Sequence, residues 1–90
     1  MYSLNRATLI GNMTRDPELK QTPNGQNVCT FSIATNRAWK GADGQKQESA
    51  EFHNVVAWGK LAEICGQYLS KGRKVYVEGR LQTRDWEGQD

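Results

Sequence analysis

Tryptophans beside cationic side chains are the residues of this sequence that could most readily do chemistry. Trp39 lies between Arg37 and Lys40 in a polar stretch, and Trp86 follows Arg84 by two positions. Neither neighbourhood is apolar enough for a protein core. Rings stack on any base while lysine and arginine hold phosphates, so proteins that bind single strands without reading sequence combine the two. The pattern therefore indicates a nucleic-acid site.

The segment EFHNVVAWGK, residues 51–60, poses the question of whether Phe52 and Trp58 belong to a core or to such a site. Alternation along a strand puts both rings on one face and Val55 and Ala57 on the other, but does not say which face is inward. We predict that Val55 and Ala57 face inward, because enough apolar residues remain to build a core without the two rings. That core set is Leu9, Phe31, Ile33, Val55, Ala57, Leu61, Ile64, Val75, Val77 and Leu81.

Composition leaves the partner open. The formal net charge is +2, which alone does not indicate a nucleic-acid partner. A chain of 90 residues makes one small domain, spanning residues 1–90. The N-terminal pattern does not predict a secretory leader, and no apolar run reaches the ~20 residues needed to cross a bilayer, so we expect a cytoplasmic protein.

Catalytic and metal-binding motifs are not evident. The sequence has no nucleophile elbow, phosphate-binding loop or dinucleotide glycine fingerprint. His53 is the only histidine, and Glu51 is a weak candidate to orient it, so a structural role is favoured. Cys29 and Cys65 occupy apolar slots and are expected to be buried thiols, not a disulfide or a zinc site. We predict no enzyme, metal or cofactor.

Hydrophobic periodicity gives the order of elements. It predicts strands at 6–13, 28–36, 50–58 and 73–86, a helix at 59–72, a turn-rich segment at 14–27 and a mobile hairpin loop at 37–49. The helix presents Leu61, Ile64, Cys65, Tyr68 and Leu69 on one face, with Gly72 placed to stop it. A helix between the third and fourth strands is typical of a five-stranded oligonucleotide-binding (OB) barrel, here without its final strand.

Several ordered motifs carry a resemblance to a known family. NRATLIGNMTRDPEL, HNVVAWGKLAE, YLSKG and VYVEGRL, followed by a tryptophan, resemble the bacterial replicative single-stranded DNA-binding proteins from Asn5 to Trp86. The resemblance implies an OB fold, assembly as a homotetramer, and sequence-tolerant binding of single-stranded DNA in replication, recombination and repair. It also implies a bacterial, nucleoid-associated protein.

Site residues follow from matching positions. The resemblance implies base stacking by Trp39, Phe52, Trp58 and Trp86. It implies phosphate contacts from Arg6, Lys60 and Lys71, to which the neighbourhood of the tryptophans adds Arg37, Lys40 and Arg84. It also implies that Asn5 and His53 lie near a subunit contact.

The family pattern continues past this chain, and two alternatives remain. In the family, a last strand and a tail with an acidic, apolar tip follow a segment like DWEGQD, whereas this sequence ends at Asp90. We therefore expect a truncated chain, and partners recruited by the tail are not carried over. One alternative is a related OB-fold protein of primosome assembly or RNA binding, which would lack part of the aromatic set. The other is a protein-interaction barrel, which would not need tryptophans in basic contexts.

Overall fold

The computed structural model describes residues 2–83, and this range contains five strands and one helix. In chain order the elements are β1 (Ala7–Met13), β2 (Glu18–Gln21), β3 (Asn27–Lys40), β4 (Lys46–Trp58), α1 (Gly59–Tyr68) and β5 (Lys74–Gly79). The predicted class, mostly β with one helix after the 50–58 strand, is confirmed.

Strand β3 ties the sheet together. β4 pairs antiparallel with it in an unbroken register, from Val28 opposite Trp58 to Lys40 opposite Lys46. Because β4 occupies one edge of β3 along this length, β2 and the end of β1 share the other edge. β1 then pairs with β5, from Ala7 opposite Gly79 to Asn12 opposite Lys74. The sheet order is β2-β3-β1-β5, with β4 added beside β3.

Alternation along β3 and β4 builds the core. Cys29, Phe31 and Ile33 project to one face of β3, and Ala57 joins them from β4. The buried set is Met13, Cys29, Phe31, Ile33, Ala57, Ala62 and Cys65, with Val55, Leu69, Val75 and Val77 packed against it. The predicted core positions on the strands are thus largely confirmed, and Leu9 is half-buried.

The predicted inward face of the helix was right at Cys65 and Leu69, which lie in or against the core, and wrong at the other three positions. Ala62 and Cys65 are buried, whereas Leu61, Ile64 and Tyr68 are exposed. The helix lies close to the sheet, since a Cβ on Gly66 would be 3.1 Å from a methyl carbon of Leu19. Small side chains on the helix permit this close approach to the sheet. A periodicity pattern that relies on large apolar residues therefore predicts the wrong buried face. Leu81, also predicted to be core, is exposed.

Several boundaries also differ from the predictions. The helix ends at Tyr68, where the Leu69 N–H still donates to Cys65 O at 3.1 Å, rather than at Gly72. The last strand ends at Gly79, so residues 80–83 are not strand and residues 84–86 lie outside the described range.

The segment 37–49 is not a long loop. β3 and β4 continue through it and leave only a tight turn, in which Gly41 N–H donates to Gln45 O at 2.8 Å and Gly44 N–H to Gly41 O at 2.9 Å. β2 was also missed, because all four of its residues are exposed. Backbone pairing forms both segments, and polar side chains on both faces give no alternation that a sequence pattern could detect.

Two glycines occupy backbone positions where a side chain would cause strain or overlap. Gly59 has a φ of +64°, a conformation that residues with a Cβ adopt only with strain, and it turns the chain from β4 into α1. At Gly11 a Cβ would overlap the carbonyl oxygen of Ala34 and Cγ2 of Ile33, so β1 crosses β3 closely only because no side chain is present.

Candidate nucleic-acid interface

The outer face of β4 carries exposed aromatic rings. Phe52 is 68% exposed and Trp58 51%, whereas Ala57 on the opposite face is 6% exposed. Val55 is half-buried and packs against the core. The rings therefore lie on the solvent side of the strand, and the core is assembled without them.

Phe52 faces a small side chain on β3, whereas Trp58 lies opposite Val28. Phe52 lies opposite Ala34, and residues directly opposite in an antiparallel pair share a face. Between the rings, Asn54 lies opposite Ser32. Neither Ala34 nor Ser32 is large enough to cover an aromatic face. Phe52 and Trp58 are six positions apart, which is about 20 Å along the strand at ~3.3 Å per residue, so they suit separate bases.

Trp39 belongs to the other face of the ribbon. The β3–β4 register has no interruption, so Trp39 shares the face of Phe31 and Ile33, not that of Phe52. It is 40% exposed because it lies beyond the core, near the hairpin turn. The Arg37 guanidinium carbon lies 4.9 Å from its ring centroid, a cation–π contact that covers one side of the ring.

The predicted phosphate-binding residues do not form one cluster. Lys60 is exposed in the first turn of α1, next to Trp58. Lys71 is exposed after the helix, where its backbone N–H donates to Asp16 Oδ1 at 2.8 Å. Lys40 lies at the hairpin tip beside the turn. Lys40 and Lys60 therefore lie near the two ends of β4, whereas Lys71 lies beside the segment that follows β1.

Arg6 is placed differently from the lysines. Its Nη2 lies 3.0 Å from Glu78 Oε2 in an exposed ion pair. Glu78 also accepts a hydrogen bond from the Tyr76 hydroxyl at 3.0 Å. The pair lies on β5 and the approach to β1, which β3 separates from β4 in the sheet order. A phosphate contact from Arg6 would have to compete with Glu78.

Asn5 and His53 both have partners within the chain. Asn5 Nδ2 donates to Leu81 O at 2.8 Å and its Oδ1 accepts from the Leu81 N–H at 2.9 Å. The amide thereby extends the β1–β5 ladder beyond Ala7 by one rung. His53 Nε2 is hydrogen-bonded to Thr35 Oγ1 at 2.9 Å in a half-buried position. Trp86 and Arg84 lie outside the described residues.

Sequence reasoning missed Lys46, because residues 37–49 were assigned to a loop. It lies directly opposite Lys40. An open recess of about 310 Å³ is lined by Ala38, Trp39, Lys40 and Lys46. The usable signal was the placement of two lysines on either side of the turn-forming segment GADGQ.

Other chemistry finds little support at these positions. Burial raises the pKa of Cys29 and of Cys65, so both thiols stay protonated near neutral pH and are poor nucleophiles. Within residues 2–83 no group of three or more His, Cys, Asp or Glu side chains is arranged to hold a metal ion. In the same range the single helix is too short to cross a membrane.

Comparison with known proteins identifies the family. The sequence profile of the Single-strand binding protein family matches residues 4–90. The chain belongs to this family. A relative named single-stranded DNA-binding protein 1, from Chlorobaculum tepidum, is 55% identical over 84 residues, covering 93% of this chain and 52% of the relative. The single-stranded DNA-binding protein of Neisseria meningitidis serogroup A is 52% identical over 88 residues, covering 98% of this chain and 51% of the relative.

Solved structures of family members have the same fold. A Plasmodium falciparum SSB in complex with ssDNA superposes with a TM-score of 0.89 at 36% identity, covering 96% of this chain and 77% of that one. A deletion mutant of the Thermus aquaticus single-stranded DNA binding protein gives 0.84 at 37% identity, covering 92% and 40%. The predicted OB fold is thereby confirmed. The chain spans about half the length of the Chlorobaculum tepidum and Neisseria meningitidis relatives.

Proposed function

We propose that this chain binds single-stranded DNA without reading its sequence, by stacking bases on exposed aromatic rings and holding phosphates with lysine and arginine. The stacking rings are Phe52, Trp58, Trp39 and Trp86. In the cell this activity would protect exposed strands during replication, recombination and repair. The protein would work in the bacterial cytoplasm at the nucleoid, without catalysis or a cofactor.

The observation that carries the proposal is the outward position of Phe52 and Trp58. Two large apolar rings left in solvent on a sheet face are costly unless something covers them. The small residues opposite or between them, such as Ala34 and Ser32, leave room for a flat ligand. Lys60 beside Trp58 supplies a cation at the helix start, where a phosphate could follow a stacked base.

Titration with an oligo-dT, followed by tryptophan fluorescence, tests the proposal. Stacking on Trp58 and Trp39 is expected to quench the emission to a saturable plateau. An oligo-U of equal length separates this function from the RNA-binding alternative, and we expect the dT oligomer to bind more tightly. No binding of either oligomer at low salt would contradict the proposal and favour a protein-interaction barrel.

Salt dependence tests the electrostatic part. The logarithm of the affinity should fall linearly with the logarithm of salt concentration, with a slope of about −0.7 for each phosphate neutralised on a single strand. Several lysines along the β4 face predict a slope of several such units. A flat response would leave stacking alone and would exclude the phosphate contacts.

Assembly as a homo-oligomer, a tetramer by resemblance to the family, is part of the proposal. Ile10 and Tyr76 lie opposite each other on β1 and β5, and both are exposed, which leaves an apolar patch on this sheet face. A second copy would cover this patch, and the assignment of Asn5 and His53 to a subunit contact rests on the resemblance to the family. Sedimentation equilibrium at micromolar concentration tests this, and a stable folded monomer would contradict it.

A further inference from the structure

The hairpin tip places two lysines face to face. Lys40 and Lys46 form the last register pair of β3 and β4 before the turn. Residues directly opposite in an antiparallel pair have Cβ atoms about 5 Å apart and project to the same side. Both side chains are exposed. Two ammonium groups therefore share one small region of surface.

Within residues 2–83 no acidic side chain forms a salt bridge with this pair, although Glu48 lies on the same face two positions from Lys46. The only salt bridge in that range joins Arg6 to Glu78. Asp43, in the turn, instead uses Oδ1 to accept the Gln45 N–H at 3.0 Å. Like charges directly opposite on a sheet are destabilising, so the free hairpin tip is under electrostatic repulsion that an anion would relieve.

The surroundings of the pair suit one kind of anion. Trp39 and Ala38 line the same open recess as the two lysines. By the register, the two lysines project to the face of β4 that carries Phe52 and Trp58, whereas Trp39 projects to the other face. A strand stacked on Phe52 and Trp58 would carry its phosphates along the face of this pair. A free inorganic anion would use the lysines but leave the rings of that face, Phe52 and Trp58, unused.

We infer that Lys40 and Lys46 form a clamp for a single phosphodiester group of a bound strand. The inference rests on the proposed function and deepens it, since it adds Lys46 to the site and assigns both lysines to one phosphate. The phosphate carries a single negative charge, and a position between the ammonium groups offsets their mutual repulsion. The clamp therefore predicts two opposite effects of removing one lysine: DNA binding becomes weaker, and the unbound protein becomes more stable.

The test uses K46Q, K40Q and the double variant K40Q/K46Q of the whole chain, titrated with oligo-dT over a range of salt. K46Q should lower the magnitude of the salt slope by about 0.7, the value of one contact on a single strand. If that contact contributes little at 1 M salt, the affinity at 0.1 M should fall about fivefold, since the change is ~0.7 per decade of salt. The double variant should lose no more affinity than the loss of about one phosphate contact causes, because both lysines bind the same phosphate.

Thermal unfolding of the unbound protein provides the second readout. At low salt K46Q should raise Tm by about 1–4 °C, because it removes a like-charge pair from a small domain. K74Q is the matched control: Lys74 is an exposed strand lysine whose register partner, Asn12, is uncharged. K74Q should leave both the slope and Tm near wild type.

The outcomes separate the clamp from the wider proposal. If wild type binds dT but K46Q binds equally well with the same slope, the clamp is wrong and the proposed function stands. Additive losses in the double variant would also overturn it, in favour of two independent contacts. An equal loss in K74Q would mean that only net charge matters, and an unchanged or lower Tm in K46Q would contradict the repulsion. Failure of wild type to bind dT would refute the proposed function itself.

Discussion

The ribbon formed by β3 and β4 has two halves that differ in side-chain burial. In the barrel half, Val28–Thr35 with Glu51–Trp58, one face is buried against α1 and β1 and the other carries Phe52 and Trp58. In the tip half, Asn36–Lys40 with Lys46–Ala50, every residue is exposed on both faces. Burial defines inside and outside in the first half. In the second, charge and local contacts such as Arg37 over Trp39 decide which groups are available.

The difference bears on how a strand could be bound. The rings of the barrel half are held on a sheet that the core makes rigid, so stacking on them requires little ordering. Trp39, in the tip half, lies on the other face of the ribbon and has one side covered by Arg37. A strand that used all three rings would have to cross from one face of the ribbon to the other. The barrel half should therefore supply most of the stacking energy.

The largest expected effect comes from the inward face of the barrel half. Phe31 is 3% exposed. Phe31→Ala should cost about 3–5 kcal/mol of unfolding free energy, because it leaves a cavity in a small core. This is a large share of the stability of such a domain, and thermal unfolding should show a greatly lowered Tm or no transition. Ser32→Ala, on the adjacent outward position, should stay within about 0.5 kcal/mol of wild type.

The outward face should give the opposite phenotype. Trp58→Ala should leave Tm near wild type and weaken dT binding by about 1–3 kcal/mol, since one stacking platform is lost. Phe52→Ala should behave similarly. The measurements are thermal unfolding and an oligo-dT titration of each variant. A collapsed Tm would mean that Trp58 is a core residue, and wild-type affinity in a folded variant would mean that its ring does not stack on DNA.

Sequence patterns predicted the barrel half well because one buried face produces an alternation of apolar and polar residues there. Cys29, Phe31 and Ile33 alternate with smaller or polar residues, and the resulting inward face is the one observed. The parity of β4 could be chosen only because the other apolar residues sufficed for a core. That choice placed Val55 and Ala57 inward, as they are.

The tip half and β2 have no such buried face. Backbone hydrogen bonds between neighbouring segments form these strands, and their side chains are exposed to water. The sequence therefore shows no alternation of apolar and polar residues there. The buried face of the helix was mispredicted for another reason. Ala62 is only weakly hydrophobic but is fully buried, whereas the more hydrophobic Leu61 is exposed. Close packing selects small residues there, which a periodicity argument undervalues. The pairing of Lys40 with Lys46 could not be predicted either, because the strands that bring them together show no apolar pattern in the sequence.

A steric substitution tests whether the barrel half depends on the close crossing of β1 over β3. Gly11→Ala should lower the free energy of unfolding by about 1–3 kcal/mol, since its Cβ would overlap Ala34 O and Ile33 Cγ2 and force a backbone shift. Gly79→Ala is the matched control, because a Cβ at that strand position meets nothing within 4 Å. Chemical denaturation measures both. Equal stability of the two variants would show that the crossing can relax.

The smallest effect is expected at the tip. Trp39→Ala should weaken dT binding by about 0.5–1 kcal/mol, at or below the lower limit of the ~1–3 kcal/mol for one stacked base, because Arg37 already covers one side of the ring. Its Tm should not change, since the tip half contributes no buried side chain. Titration with oligo-dT at fixed salt measures the loss, and Trp58→Ala measured alongside sets the scale. If Arg37 is the reason for the weak effect, Arg37→Gln should enlarge the loss caused by Trp39→Ala in a double-variant comparison. A loss for Trp39→Ala as great as that for Trp58→Ala would mean that the tip stacks as well as the barrel half, and that rigidity of the underlying sheet does not govern stacking.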